Sequence, residues 1–364
     1  MFNRIVLYTL LISATFSSTL FSASISKVNR VSELPKWAYS TIPNKASLRG
    51  TAIKQDSYWV TGSNNSIFVS QDAGNTWQDK SISIALKRDF RDIELFDNHT
   101  AIIMGAGTGA LSTLYKTTDG GNHWQLLYQN RDKLGFFNAI AFWNQQQGLL
   151  IGDPVDGYYV IKKTTDGGKT FRRIAKKNIP SLQSKEAAFA ASGNSIIVGN
   201  NGKAWIATGG FSASVYESND YGETWQRNSV PLYQDTQTSG GYGVALNHLE
   251  QPFVIGGDYL QRQSEYANMA RLSNGQWQSV KTGSIGLRTA MSCQAWICLT
   301  TGKTATDISY DAGNTWQALV SNQPSKTGKF DQGFYSLASD DSVFLAAGAE
   351  GKVGVLSFIA VKTR

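Results

Sequence analysis

One eight-residue phrase occurs five times in this chain, and its spacing restricts the fold more than any other feature. It runs from Ser70 to Trp77, Thr117 to Trp124, Thr164 to Phe171, Ser218 to Trp225 and Ser309 to Trp316. The shared pattern is Ser/Thr-x-Asp-x-Gly-x-(Thr/His)-(Trp/Phe). A sixth copy, Ser273-Asn274-Gly275-Gln276-Trp277, has lost the aspartate. The terminal aromatics stand 39 to 54 residues apart. Short β-branched and aromatic runs such as Ser66-Ile67-Phe68-Val69 and Tyr158-Tyr159-Val160-Ile161 precede the phrases and read as strands. A repeat of this length built from short strands predicts an all-β fold, a β-propeller with one blade per repeat.

The phrase is a folding device before it is anything else. Aspartate caps nearby backbone N–H groups, glycine accepts positive φ, and the aromatic packs between sheets. Asp72, Asp119, Asp166, Asp220 and Asp311 are therefore expected to be structural. With each phrase between a third and a fourth strand, innermost strands begin near Leu48, Phe90, Phe136, Glu186, Gly241 and Leu287, with a seventh at Gly333. The last blade has three strands and no phrase. Its missing outer strand is expected at Lys36–Ser40, so that strands from both ends close the ring and remove an open sheet edge. The count is seven four-stranded blades, with six or eight as alternatives if the divergent fifth blade is misread.

The amino terminus reads as a secretory signal over residues 1–24: Arg4, an apolar stretch from Ile5 to Phe16, then small residues Ser22, Ala23 and Ser24. An uncleaved anchor is the alternative. A linker over 25–33, a single propeller domain over 34–358 and a tail over 359–364 complete the expected organisation, in the periplasm or outside the cell. The two cysteines, Cys293 and Cys298, flank a short turn; they could pair in an oxidising compartment or stay as buried thiols. A formal charge of +7 on 364 residues favours anionic partners only mildly. No basic run or RNA-binding signature points to nucleic acid. The three histidines, His99, His123 and His248, join no cluster with metal-ligand spacing, so neither metal nor cofactor is expected. No nucleophile elbow, P-loop or dinucleotide fingerprint is present.

In a propeller, the loops joining strands two and three and those joining blades emerge together around one mouth of the central channel. Aligned by repeat, the start of each inner strand holds Arg49, Arg91, Phe137, Ala187, Tyr242, Arg288 and Phe334. Three arginines in one register predict an anion-binding mouth formed by Arg49, Arg91 and Arg288, since guanidinium forks grip carboxylate and phosphate. Pairing with acids such as Asp92 or Glu186 is the structural alternative. Two loops between second and third strands add candidates: Gly152–Gly157, with Asp153 and Asp156, and an insertion from Gly256 through Asn268, with Asp258, Tyr259, Arg262, Glu265 and Tyr266. An ordinary tight turn is the alternative for the first of these, and a flexible surface excursion is an equal alternative for the second.

The phrase resembles the BNR or Asp-box repeats of sialidases, sortilin-type receptors and photosystem II assembly factors. Over roughly residues 34–358, segments such as Phe-Arg-Asp-Ile-Glu at 90–94, Gly-Asp-Pro-Val-Asp-Gly at 152–157 and Glu-Ala-Ala-Phe-Ala-Ala-Ser-Gly at 186–193 resemble bacterial exported relatives of those assembly factors. The resemblance implies two functions of different class. One is a non-catalytic, monomeric platform that docks a protein or an acidic segment on the arginines. The other is a sialidase-like glycoside hydrolase in which Arg49, Arg91 and Arg288 grip a carboxylate, Glu186 activates Tyr242 and Asp92 acts as the acid. The Arg-Ile-Pro motif of sialidases is absent beside Arg49, where Leu48-Arg49-Gly50 stands instead.

Overall fold

The computed structural model describes residues 35–319, 333–340 and 343–358. The expected signal at 1–24, linker at 25–33 and tail at 359–364 lie outside these residues. The described chain forms seven antiparallel sheets, six of four strands and one whose four blade strands carry a two-strand fringe, and their innermost strands are neighbours in ring order, the seventh against the first. The inner strands are Leu48–Lys54, Asp89–Leu95, Phe137–Phe142, Ile196–Val198, Ser239–Leu246, Ala290–Gln294 and Ser336–Asp340. The fold is thus an all-β, seven-bladed propeller. Its seventh sheet takes its outermost strand, Ala38–Thr41, from the amino-terminal side, pairing Ala38 with Val355 and Thr41 with Lys352.

Seven apolar layers hold the ring together, one between each pair of adjacent blades. Between blades one and two lie Trp59, Val69, Phe90 and Ile103; between three and four lie Leu149, Tyr159, Tyr216 and Trp225. Each inner sheet is covered on both faces, so its strands read as apolar runs without clean alternation.

The repeated turns are built alike. In the first, Ser70 Oγ donates to Asp72 Oδ1 at 2.8 Å and accepts the Gly74 N–H at 2.8 Å. The Asp72 carboxylate then takes the Thr76 N–H at 2.8 Å and the Thr76 hydroxyl at 2.6 Å. Ala73 and Gly74 both have positive φ (59° and 86°), so the third place in the phrase needs an aspartate cap and the fifth needs glycine. A Cβ on the equivalent Gly222 would sit 2.7 Å from Leu149 of the preceding blade, which fixes how tightly turn and blade approach. Where the aspartate is missing, Asn274 and Gly275 take positive φ (51° and 74°) and make a two-residue hairpin instead. Cys293 and Cys298 face each other across the blade-six hairpin and form a disulfide.

Three expected strand starts are corrected, the seventh inner strand beginning at Ser336 rather than at Gly333. The inner strand of blade four begins at Ile196, not near Glu186. Glu186–Ala187 instead pairs with Gly209–Gly210, which pairs with Gly240, so this fringe ties blade four to the edge of blade five. The cause is local: the mostly apolar run at 186–191 reads as a strand, but the turn-forming Ser192-Gly193-Asn194, with Gly193 at φ 72°, follows it and precedes the true start. In blade six the inner strand begins at Ala290 rather than near Leu287, because Leu287 and Arg288 belong to the connection that enters it.

Candidate functional site

Four inner strands carry a β-bulge at their first turn. The pairing register slips between Leu48 and Gly50, Phe90 and Asp92, Phe137 and Ala139, and Gly241 and Gly243. The extra residues are Arg49, Arg91, Asn138 and Tyr242, and the bulge turns all four toward the channel mouth. Thr289 and Tyr335 take the corresponding places in blades six and seven. Together with Phe136, Phe189 and the alanines around it, Asp153, Tyr259 and Lys303, these side chains surround a cavity of about 450 Å³ at the mouth.

The strand-start alignment is therefore one residue out of register in three blades. Phe137, Arg288 and Phe334 precede the bulge position and are buried. A one-residue slip reverses the direction of a strand side chain, which moves Arg288 off the mouth. Arg288 instead forms a fully buried ion pair with Asp307 at 2.6 Å and donates to the carbonyls of Ser284, Ile285, Gly286 and Leu287. Its role is to tie down the connection into blade six.

Arg49 and Arg91 do converge. Arg91 Nε lies 2.8 Å from Asp89 Oδ2, and Arg49 Nε is 3.9 Å from the same oxygen. Across the mouth, Arg49 Nη1 donates to the Ala191 carbonyl at 2.9 Å and Arg91 Nη1 to the Ala190 carbonyl at 2.7 Å. Arg49 also lies over the Tyr335 ring at 5.1 Å, and Lys303 Nζ is 4.9 Å from that ring's centre. Burial first, and then the charge of Arg91, lower the pKa of Arg49. Arg49 Nε and Asp89 Oδ1 are buried without a hydrogen-bond partner among the described residues. Two guanidinium groups thus share a single carboxylate, and donor capacity is left over.

The far wall is aromatic. Tyr242 stacks on Phe189 at 4.3 Å and donates its hydroxyl to the Thr238 carbonyl at 2.5 Å. Burial raises its pKa well above the ordinary tyrosine range. Asp153 accepts from Asn138 Nδ2 at 3.0 Å, and desolvation raises its pKa. Tyr259 is exposed at the rim.

Other candidates serve the scaffold. Asp156 occupies a hairpin turn and pairs with Lys176 at 2.8 Å. Asp258 is fully buried, accepting from the Thr236 and Thr238 hydroxyls at 2.6 and 2.7 Å, and it anchors the insertion that presents Tyr259. Glu186 takes the hydroxyls of Thr208 and Tyr216 at 2.5 and 3.2 Å and the Gln183 N–H at 2.8 Å. The Tyr242 hydroxyl is given to the Thr238 carbonyl rather than to Glu186, so the two are no nucleophile couple. Asp92 bridges blades two and three, taking the N–H groups of Ile93 and Ile140 at 2.8 and 2.7 Å. Channel solvent still reaches part of its surface, yet its dense surroundings push its pKa up to about 7. Among the described residues no group of His, Cys, Asp and Glu side chains could hold a metal ion.

Sequence reasoning missed Asn138, Phe189, Lys303 and Tyr335. Asn138 sits at a bulge, which strand patterning does not mark; Phe189 and Lys303 lie on connections and Tyr335 just before its strand, where no period points them at the cavity.

The class this defines is a seven-bladed propeller with a paired-arginine, aromatic-walled pocket at one mouth of its channel. No protein-family model matches the sequence, and no curated protein matches it. In fold the chain is similar to a solved YCF48 bound to a D1 peptide, at 16% identity over 89% of this chain and 97% of that one, with a TM-score of 0.64. It is also similar to virginiamycin B lyase from Staphylococcus aureus, at 13% identity over 89% and 99% of the two chains, with a TM-score of 0.65. A GH74 xyloglucanase from Xanthomonas campestris shares the fold at 12% identity over 87% of this chain and 53% of that one, with a TM-score of 0.58.

Proposed function

We propose that the protein is an exported, non-catalytic binding propeller, periplasmic or secreted and monomeric, that captures an acidic segment of a protein partner at the channel mouth. The observation that carries this reading is the Arg49–Arg91 pair, two guanidinium groups balanced, among the described residues, by Asp89 alone and backed by an aromatic wall. A peptide carboxylate entering there meets charge-assisted donors on one side and stacking surface on the other. A propeller of similar fold bound to a peptide supports a protein partner.

Glycosidase chemistry has less support. The third arginine is buried and paired, Glu186 and Tyr242 have separate partners, and Asp92 is engaged by backbone N–H groups.

Fluorescence anisotropy with a labelled peptide ending in Asp-Glu, against its Asn-Gln amide, tests the proposal. Binding of the acidic peptide alone, lost in Arg91→Glu, is expected. Equal binding of both peptides would overturn it, as would turnover of a fluorogenic sialoside abolished by the same substitution.

A further inference from the structure

We propose that the mouth face is also a docking surface for an anionic lipid bilayer, with separate loop tips entering its interface. The starting observation is where the exposed large apolar side chains fall. Leu86, Leu134, Phe211, Tyr259, Leu260 and Ile285 all lie on loops that join blades or join second to third strands, so all are on the mouth face; Leu134 and Leu260 are 87% and 72% exposed. They come from loops spread around the ring: the connections after blades one, two and five, and the insertions in blades four and five.

Each tip has a cation at hand. Lys87 follows Leu86, Lys133 precedes Leu134 with Arg131 close by, Arg262 follows Leu260 by two residues, and Lys281 shares the connection that carries Ile285. Lys185 Nζ is 4.8 Å from the centre of the Phe211 ring. The acids in these loops include Asp132, whose Oδ1 accepts the Leu134 N–H at 3.0 Å and so helps present that tip, and Glu265.

The opposite face has the reverse character. Of the exposed apolar residues in its turns, three stand beside carboxylates, Tyr221 after Asp220, Tyr310 before Asp311 and Leu249 before Glu250, and the fourth, Trp296, packs on the His248 ring at 4.3 Å. All five aspartates of the repeated turns are also there, each held below the usual carboxylate range by its turn, Asp119 and Asp166 strongly. The ring is therefore electrically two-sided, cationic with apolar tips at the mouth and fixed anionic on the other side. An anionic surface would attract the first face and repel the second.

A bilayer fits this arrangement better than a second protein does. A protein interface buries one continuous apolar core. Single apolar side chains on separate loops, each flanked by a cation, suit an interface that is fluid, apolar beneath and anionic at its surface. This docking does not depend on the peptide-capture reading.

The experiment places an environment-sensitive fluorophore on Leu134→Cys, Leu260→Cys or Leu249→Cys in the full chain. Each protein is mixed with vesicles of roughly three parts phosphatidylcholine to one part phosphatidylglycerol. A blue shift at positions 134 and 260, none at 249, no shift with pure phosphatidylcholine, and loss of the shift when salt rises to about 0.5 M are expected. Comparing sites within one chain cancels any anchoring by the amino-terminal segment. In unlabelled protein, Leu134→Ser with Leu260→Ser should weaken vesicle binding about tenfold, the loss expected for withdrawing two leucines from the interface. Equal shifts at 134 and 249, or none at either, would overturn the proposal. So would a shift given by polyglutamate but not by vesicles, which would mean an acidic protein surface, or one that grows with protein concentration alone, which would mean a second copy of the chain.

Discussion

Arg49 and Arg91, on neighbouring blades, reach across the channel mouth to consecutive carbonyl groups, those of Ala191 and Ala190. The two side chains hold the connection that leads into blade four and remain partly open to solvent. If an acidic ligand binds as proposed, its carboxylate would take over one of these contacts and couple capture to the order of the alanine segment.

Arg91→Ala should weaken an acidic peptide by about 10- to 100-fold, the equivalent of one charge-assisted bond of about 1.5–3 kcal/mol. Arg91→Lys should recover only part of it, because an ammonium cannot serve Asp89 and the ligand in one plane. Titration calorimetry on both variants, with thermal melts to show intact folding, checks this.

Arg288→Ala should behave oppositely. It leaves Asp307 buried without its partner, a loss of about 3–5 kcal/mol, while peptide affinity measured on the folded fraction stays unchanged. Urea unfolding gives the first quantity. A parent-like unfolding midpoint would contradict the structural role.

Asp92 gives the pH dependence a definite sign. Its pKa is about 7 in the fold, against about 3.9 in an unfolded chain, so ionisation opposes folding increasingly between those two values. Asp92→Asn should therefore gain stability over the parent above pH 7, and the gain should fade toward pH 4. A tenfold difference in proton affinity between the folded and unfolded chain is worth at most about 1.4 kcal/mol, and less where channel solvent reaches the group. Denaturant midpoints from pH 4 to 8 would show it.

Asp166 has the contrary sign. The Thr170 hydroxyl and N–H hold its pKa at about 2, so its turn contributes stability that is fully present above about pH 4 and lost as pH falls toward 2. Asp166→Asn should be less stable than the parent at pH 7, and the two should converge in strong acid. Parallel acid-unfolding curves would refute it.

Trp225 fills the layer between blades three and four, with its indole N–H donated to the Gly222 carbonyl at 3.0 Å. Trp225→Ala should cost about 3–5 kcal/mol. A melting temperature indistinguishable from the parent's would show that the layer tolerates the void.

The aspartate phrase was legible in the sequence because its chemistry is local: Ser70, Asp72, Gly74 and Thr76 complete their contacts within seven residues. The closing strand at Ala38–Thr41 could be read because a blade of three strands needs a fourth. The mouth could not be read as easily. Whether Arg288 or Thr289 faces the cavity depends on one residue of register at a strand start, where both faces are covered and alternation is silent. Arg49 and Arg91 lie at the mouth because arginine itself occupies the bulge, whereas at Phe137–Asn138 the conspicuous aromatic sits one residue too early, and at Phe334–Tyr335 two aromatics in succession hide which one faces the cavity.

The seventh sheet joins Ala38–Thr41 to a strand that ends at Ser357, so one clasp uses nearly the first and nearly the last of the described chain. The ring cannot latch while it is being made. Six blades must wait, with the faces of the gap bare, until Lys352–Ser357 leaves the ribosome, and a chain cut short before that strand would lose the clasp that closes the ring.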